Sequence, residues 1–251
     1  MSMSNAPWFR THFGERYLDA VHDQLQPEWT ARQVDFIEGV LGLRPGDSIL
    51  DLCCGNGRHA IELARRGYRG IGLDLDAILL QEAGEQAEKA GVEVEWIQAD
   101  MRDIPSNREF DVILNLFTAF GYLESDEEDL KVLQAVQRAL RPGGKFLLNT
   151  VNREWLVRQF QARDWDYLPD GSMCLIERQI DLEQGRNLVT ETRFFRDGKR
   201  KTMFHALRLY TLTELRRMCI QAGLQPTAVY GDFDERPYGL DSRWMTVVAW
   251  K

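Results

Sequence analysis

The spacing of hydrophobic positions changes repeatedly along the chain and predicts alternating strands and helices. Apolar residues recur at every third or fourth position over 30–43, where Thr30 and Gln33 predict a capping box, whereas 111–116 is a continuous apolar run. The first pattern is typical of an amphipathic helix, and the second of a strand buried on both faces of a parallel sheet. Strands are predicted at 48–52, 70–73, 92–98, 111–116, 145–149, 227–230 and 244–250, and helices at 30–43, 58–66, 77–90, 126–140, 153–161 and 213–222.

Between the fifth and sixth of these strands the pattern changes to three segments of alternating or β-branched character, 173–182, 188–195 and 202–210. Asp197-Gly198 joins the last two segments and is a strong hairpin signal. We therefore predict a doubly wound, mostly parallel, seven-stranded α/β sheet with an inserted antiparallel β lid. The predicted regions are an N-terminal aromatic segment (1–29), the α/β core (30–150), the lid (151–210) and the C-terminal part of the core (211–251).

The turn after the first predicted strand carries the features of a ligand-binding loop. Gly55 and Gly57 allow the backbone to approach a ligand closely, and the helix that follows offers unpaired N–H groups. Asp74 ends the next strand, near the position of an acid that binds a ribose diol. Taken alone, this pattern also fits a dinucleotide, so an NAD(P)-dependent oxidoreductase remains an alternative.

Two further strand ends favour a different cofactor. Asp51 ends the first strand, where a carboxylate attracts a cationic amino group and repels a pyrophosphate. Asp100 ends the third strand and can accept a hydrogen bond from an adenine amino group, while Met101 offers its backbone N–H. Together these residues describe a site for a nucleoside that bears a cationic amino-acid tail.

With these motifs on 51–57, 74, 100–101 and the turn 140–144, the chain resembles the class I S-adenosylmethionine-dependent methyltransferases over about residues 30–251. The resemblance is closest to the bacterial branch that acts on small molecules and has an antiparallel lid. It implies a Rossmann-like fold, S-adenosyl-L-methionine as cofactor, S-adenosyl-L-homocysteine as product, and no metal. The cofactor-binding residues that it implies are Tyr17, Asp51, Cys53, Gly55, Gly57, Asp74, Leu75, Asp100, Met101, Asn115 and Leu116.

Cys53 departs from this family, which usually has a glycine at that position. Cofactor binding should survive this change if Cys53 keeps an ordinary strand conformation, because its side chain is small. Cys53 and Cys54 favour structural roles over nucleophilic ones. The four cysteines show no CxxC spacing, so neither a zinc site nor a disulfide framework is predicted.

The substrate side of the site leaves two pairs of alternatives open. Phe117 and Tyr122 follow the fourth strand and either line the substrate pocket or pack in the core. In the third lid segment, His205 and Arg208 lie on opposite faces. If the face of His205 covers the cavity, His205 is a candidate general base and Tyr122 a proton relay; if the other face does, Arg208 anchors an anionic group.

The net charge of the chain disfavours DNA as its substrate. The chain has 31 Lys and Arg against 39 Asp and Glu, a net charge of −8, whereas a DNA-binding protein normally has a basic surface. We predict methyl transfer to an N, O or C nucleophile of a small molecule. A tRNA or another macromolecular substrate remains an alternative because the predicted lid hairpin carries a basic run at 193–201, and a non-catalytic cofactor-binding module is a further alternative.

The remaining expectations concern location and assembly. No apolar run approaches the roughly 18 residues that span a bilayer, and residues 1–10 do not resemble a signal peptide. We expect a cytoplasmic protein without membrane contact, either a monomer or a homodimer. The aromatic segment that contains Tyr17 either packs on the outside of the sheet or folds over the cofactor.

Overall fold

The computed structural model describes residues 27–105, 109–168 and 170–251, so Tyr17 and its predicted cofactor contact lie outside the described residues. The helices are α1 (Pro27–Leu41), α2 (Arg58–Arg65), α3 (Ala77–Ala90), α4 (Asp126–Ala139), α5 (Arg153–Arg158) and α6 (Leu212–Gln221). The strands are β1 (Ser48–Leu52), β2 (Arg69–Asp74), β3 (Glu95–Gln98), β4 (Phe110–Asn115), β5 (Leu140–Val151), β6 (Arg163–Tyr167), β7 (Met173–Asp181), β8 (Arg186–Phe194), β9 (Arg200–Arg208), β10 (Gln225–Tyr230) and β11 (Trp244–Trp250).

The central sheet has seven strands, as predicted, and their order is β10-β11-β5-β4-β1-β2-β3. Strands β1 to β5 pair in parallel, whereas β11 is antiparallel to both β5 and β10. The order reverses between β1 and β4, where Asp51 pairs in register with Leu114. The carboxyl ends of these two strands therefore form the crevice in which open α/β sheets bind their ligands.

Apolar side chains project from both faces of β1 and pack into two hydrophobic cores. Leu50 packs in one buried cluster with residues of α4 and α6, such as Leu133 and Leu215. Ile49 packs in the other cluster with Ile37 of α1 and Leu63 of α2. Every residue of β1 is buried as a result, and the polar side chain at its carboxyl end is buried with it.

The first helix begins earlier than its sequence predicts. Helix α1 starts at Pro27, so Thr30 and Gln33 lie inside it and the predicted capping box is wrong. The guanidinium of Arg58 donates to Thr30 Oγ1 (2.8 Å) and to Gln33 Oε1 (2.6 Å). Both side chains are therefore used to hold the first residue of α2 and not the end of their own helix.

The lid is a separate antiparallel sheet in the order β6-β7-β8-β9, one strand more than the three predicted. The additional strand, β6, forms one edge and pairs Trp165 with Leu175. All five residues of β6 are exposed. Its sequence alternates, since Trp165 and Tyr167 follow Asp164 and Asp166, but neither aromatic side chain is buried. The predicted hairpin at Asp197-Gly198 does join β8 and β9. Within the described ranges, no helix has the length and apolar character needed to span a membrane.

The packing of Trp96 makes a prediction about two glycines. A Cβ on Gly72 of β2 would lie 2.3 Å from the Trp96 ring and 2.9 Å from Cys54 Sγ, whereas a Cβ on Gly84 of α3 would lie 3.9 Å from that ring. Gly72→Ala should therefore lower the free energy of unfolding by about 1–3 kcal/mol through overpacking. The control Gly84→Ala should raise it by up to about 1 kcal/mol through helix propensity. Urea unfolding measures both, and equal stability of the two variants would contradict this packing.

Candidate active site

Asp51 is a buried carboxylate at the end of β1, with a relative exposure of 2%. Its Oδ2 atom has no hydrogen-bond partner among the described residues. Burial raises the pKa of Asp51 to about 7; the nearby charge of Arg58 acts to lower this pKa, and that of Asp74 to raise it. A buried charge without a partner is costly, so this position is stabilised by any cation that binds against it.

The turn after β1 bends at its first residue. Cys53 has a φ of +64° and therefore does not adopt the ordinary strand conformation under which it was expected to be tolerated. This left-handed conformation costs a non-glycine residue roughly 1–2 kcal/mol, which explains why the resembling family usually has glycine there. The Cys53 thiol points back into the structure, where its Sγ lies 3.6 Å from Met101 Sδ.

Gly55 and Gly57 serve the turn in different ways, although both have positive φ angles of 56° and 74°. A Cβ on Gly57 would lie 2.3 Å from the Trp96 ring, so this glycine is required for packing. A Cβ on Gly55 would have no atom within 4 Å, so this glycine faces open space. A ligand can therefore approach the backbone at Gly55 and not at Gly57.

Asp74 fixes the same turn from the end of β2. Its Oδ2 accepts from the backbone N–H of Gly55 (2.8 Å) and its Oδ1 from that of Asp76 (2.9 Å). Burial raises the pKa of Asp74, and these two backbone hydrogen bonds act against that increase. Each oxygen keeps a further lone pair, so the carboxylate can shape the turn and accept ligand hydroxyl groups together. Leu75 follows, and its carbonyl accepts from Gln98 Nε2 (3.3 Å).

Asp100 is held by a cation that the sequence did not indicate. The Arg102 guanidinium donates to both of its carboxylate oxygens, at 2.9 and 2.7 Å. Arg102 also pairs with Glu128 in the first turn of α4, so the end of β3 is tied to that helix. Asp100 is thereby oriented beside Met101, and the adenine contact expected of this pair stays a prediction.

The loop after β4 is strained and held by an asparagine. Asn115, fully buried at the end of β4, donates from Nδ2 to the carbonyl of Leu52 (3.1 Å). Phe117 and Thr118 have φ angles of 54° and 61°. Asn149 of β5 accepts from their backbone N–H groups through its Oδ1 (3.2 Å) and its carbonyl (3.0 Å). Strain of this kind concentrates at functional sites, which identifies Asn149 as a positioning residue that the sequence pattern missed.

Phe117 lies in an aromatic cluster at the start of α2. Its ring stacks on His59 (5.6 Å between centroids) and Phe233 (5.4 Å), and the Arg58 guanidinium lies 4.5 Å from its centroid. Leu116, just before it, is buried in the same core. The packing alternative therefore describes what Phe117 does here, and a contact with substrate stays a prediction.

Tyr122 and His205, the two predicted catalytic residues, are brought together. The ring centroids of Tyr122, in the loop after β4, and His205, on β9, are 6.2 Å apart in an edge-to-face arrangement. The face of β9 that carries His205 also carries Leu207, which is buried. Of the two alternatives for this strand, the geometry favours the one in which the face of His205 covers the cavity.

Arg208, on the opposite face of β9, joins the lid to the core. Its Nε donates to Asp126 Oδ1 (3.0 Å) and its Nη2 to Glu214 Oε1 (3.1 Å). The Tyr210 hydroxyl donates to Asp126 (2.9 Å) and to Asp129 (2.8 Å). Since two carboxylates already neutralise the charge of Arg208, the structure does not favour its predicted role as an anchor for an anionic substrate.

The fold and the site together define a class of protein. A doubly wound sheet places a buried carboxylate with one unpartnered oxygen, an open glycine turn and a second fixed carboxylate at one switch point. This arrangement suits a nucleoside with a cationic tail, with a lid that covers the strand ends. No group of three or more His, Cys, Asp or Glu side chains that could hold a metal ion occurs among the described residues.

Comparisons with known proteins give the same class. Residues 49–144 match a family model described as a methyltransferase domain. The chain is 28% identical to the cypemycin N-terminal methyltransferase of a Streptomyces species over 205 residues, which cover 81% of this chain and 82% of that protein. It is 27% identical over 235 residues to the glycine/sarcosine N-methyltransferase of Halorhodospira halochloris, covering 88% of this chain and 84% of that protein.

A similar solved structure is that of an S-adenosylmethionine-dependent methyltransferase from Clostridium acetobutylicum. Its TM-score is 0.79 at 20% identity, with 94% of this chain and 96% of that chain covered. At that identity the likeness concerns the fold, and it includes the central sheet and the lid region. Taken with the domain match and the motifs at the strand ends, this likeness supports a class I S-adenosylmethionine-dependent methyltransferase.

The raised pKa of Asp51 predicts pH-dependent cofactor binding. The ionised fraction of a group with a pKa of about 7 falls roughly tenfold between pH 8 and pH 6. Affinity for S-adenosylhomocysteine should fall by about the same factor in calorimetric titrations, because only the ionised form attracts an ammonium group. Asp51→Asn should weaken binding at pH 8 by more than about tenfold and remove this dependence.

The stability of the free protein should change with pH in the direction opposite to its affinity for S-adenosylhomocysteine. A folded-state pKa above the unfolded value means that the contribution of Asp51 to stability is present at acid pH and is lost as the pH rises through 7. Asp51→Asn should therefore raise the melting temperature of the free protein at pH 8. Asp129→Asn is the control, since Asp129 is also buried with its pKa raised to about 6, yet belongs to α4. The assignment would be contradicted if the pH dependence of S-adenosylhomocysteine affinity were unchanged in Asp51→Asn or were lost in Asp129→Asn.

Proposed function

We propose that S-adenosylmethionine binds at the carboxyl ends of β1, β2 and β4, and that the methyl acceptor is an amino nitrogen of a small molecule. The observation that carries the proposal is the Asp51 carboxylate, buried and with its Oδ2 unpartnered within the described chain, next to the open turn at Gly55. A cationic ligand group satisfies this oxygen, whereas the phosphates of a dinucleotide are repelled by it. This is the reason to prefer the methyl donor over NAD(P).

The residues present fit this cofactor. Asp51 Oδ2 would accept from its ammonium group, and Asn115 Oδ1, a second buried oxygen with no hydrogen-bond partner in the described chain, lies at the end of the neighbouring strand. Asp74 would accept from the ribose hydroxyls, and Asp100 with the backbone N–H of Met101 would bind adenine. When bound, the cofactor supplies a methyl group that its positively charged sulfur makes electrophilic.

Three observations support a small amine as acceptor. Two relatives that align over more than 80% of both chains are named as an N-terminal methyltransferase and a glycine/sarcosine N-methyltransferase. The net charge of −8 disfavours a nucleic acid. The lid, finally, brings an imidazole to the strand ends, and an amine acceptor must lose a proton during the reaction.

His205 is the residue that we assign to this proton. Its imidazole meets the Tyr122 ring edge-to-face, which restricts its orientation. An amine that approaches the strand ends attacks with its lone pair, forms the N–C bond as the C–S bond breaks, and passes its proton to His205 or to a water that His205 binds. Tyr122 orients the ring and can relay the proton, and the rest of the site supplies proximity and exclusion of water.

A methyl-transfer assay tests this proposal. The wild-type chain should form S-adenosylhomocysteine with a panel of primary and secondary amines, including glycine and sarcosine, and not with the matching alcohols. His205→Gln should lower kcat by about 10²-fold or more, with unchanged affinity for S-adenosylhomocysteine. The control is Phe204→Leu on the outer, half-exposed face of the same strand, which should retain full kcat. Transfer to alcohols alone, or full kcat in His205→Gln, would contradict the proposal.

A further inference from the structure

The inner face of the lid carries a carboxylate that the reaction described above does not use. In the register of the sheet, Glu191 of β8 lies between Ile176 of β7 and Met203 of β9. His205 is two residues further along β9 and therefore on the same face. Glu191 and the reactive imidazole thus share the side of the lid that covers the strand ends.

The Glu191 side chain lines a cavity whose walls are mostly apolar. Besides Glu191, the cavity is lined by Leu168, Cys174, Met203 and Phe195 and by the charged side chains of Lys201 and Arg193. Because a ligand in this cavity exchanges water for apolar surface, a polar contact inside it discriminates strongly between ligands.

The Glu191 carboxylate is incompletely satisfied in this cavity. It forms no hydrogen bond or ion pair among the described residues, and burial raises its pKa although the charge of Arg178 acts to lower it. Arg178 itself lies 3.9 Å from Asp164, and Arg193 donates to Asp170 at 2.7 Å. The nearby guanidinium groups therefore have other carboxylates, which leaves Glu191 available for a cation from outside.

We propose that Glu191 binds a protonated amino group of the methyl acceptor and selects cationic substrates over neutral ones. The proposal rests on the function proposed above and deepens it, since it places the acceptor's charge on the lid and its reacting nitrogen on the side of His205. A half-buried carboxylate gains most from a partner that is charged, because only a charge compensates its lost hydration. Glu191 thus determines which acceptors bind and takes no part in the methyl transfer itself.

Calorimetry on the full chain saturated with S-adenosylhomocysteine tests the proposal. The probes are benzylamine with its neutral analogue benzyl alcohol, and butylamine with butan-1-ol. Wild-type protein should bind each amine at least tenfold more tightly than the matching alcohol, and Glu191→Gln should reduce that ratio to about one. In wild-type protein the amine affinity should also fall as the pH is lowered through the titration of Glu191, whereas in Glu191→Gln it should not.

The matched control is Glu177→Gln. Glu177 lies on β7 of the same sheet but on the outer face, paired with Arg163, so its loss should leave the amine preference unchanged. Amines that bind no better than alcohols, a ratio unaffected by Glu191→Gln, or the absence of saturable amine binding would each overturn the proposal. Affinity for S-adenosylhomocysteine separates this result from a failure of the proposed function, because it should be normal in both variants.

Discussion

The burial of the Asp51 carboxylate, which leaves one of its oxygens without a hydrogen bond, is the constraint around which the site is built. Because β1 lies between two apolar cores, the side chain at its carboxyl end is desolvated and its Oδ2 has no partner within the described chain. The chain then turns at once, with a left-handed Cys53, and Asp74 fixes the turn through Gly55. These features cost stability in the free protein, and a cationic ligand offsets that cost. The sheet therefore favours a ligand with a cationic group at this position.

The two sheets carry different parts of the proposed site. The central sheet presents the cofactor residues at strand ends, while the lid presents His205 and Glu191 from its inner face. Arg208 and its carboxylate partners on α4 and α6 hold the base of the lid to the core, which fixes the side that His205 faces. Asn149 holds the strained loop that carries Tyr122 towards it. Under the proposed function, His205 and Tyr122 are therefore positioned before a substrate binds, as catalysis by proximity requires.

Much of this architecture could be predicted from sequence, because strong periodicity and helix caps are local signals. The bounds of α3 and β11 agree with those predicted, and the cofactor motif was recognisable since its residues sit at consecutive strand ends. The short edge strand β6 was missed although Trp165 and Tyr167 alternate with aspartates there, and no buried face accompanies that alternation. The left-handed Cys53, the Arg102 clamp on Asp100 and the position of Glu191 depend on contacts between distant segments, which no local pattern encodes.

The most direct test of this account is a crystal structure of the full chain with S-adenosylhomocysteine. The account predicts the ligand's ammonium nitrogen at about 2.7–2.9 Å from Asp51 Oδ2, the spacing of a charge-assisted hydrogen bond, and the ribose hydroxyls against Asp74. A complex in which Asp51 Oδ2 remains without a partner, or in which the ammonium group binds elsewhere, would contradict the central claim.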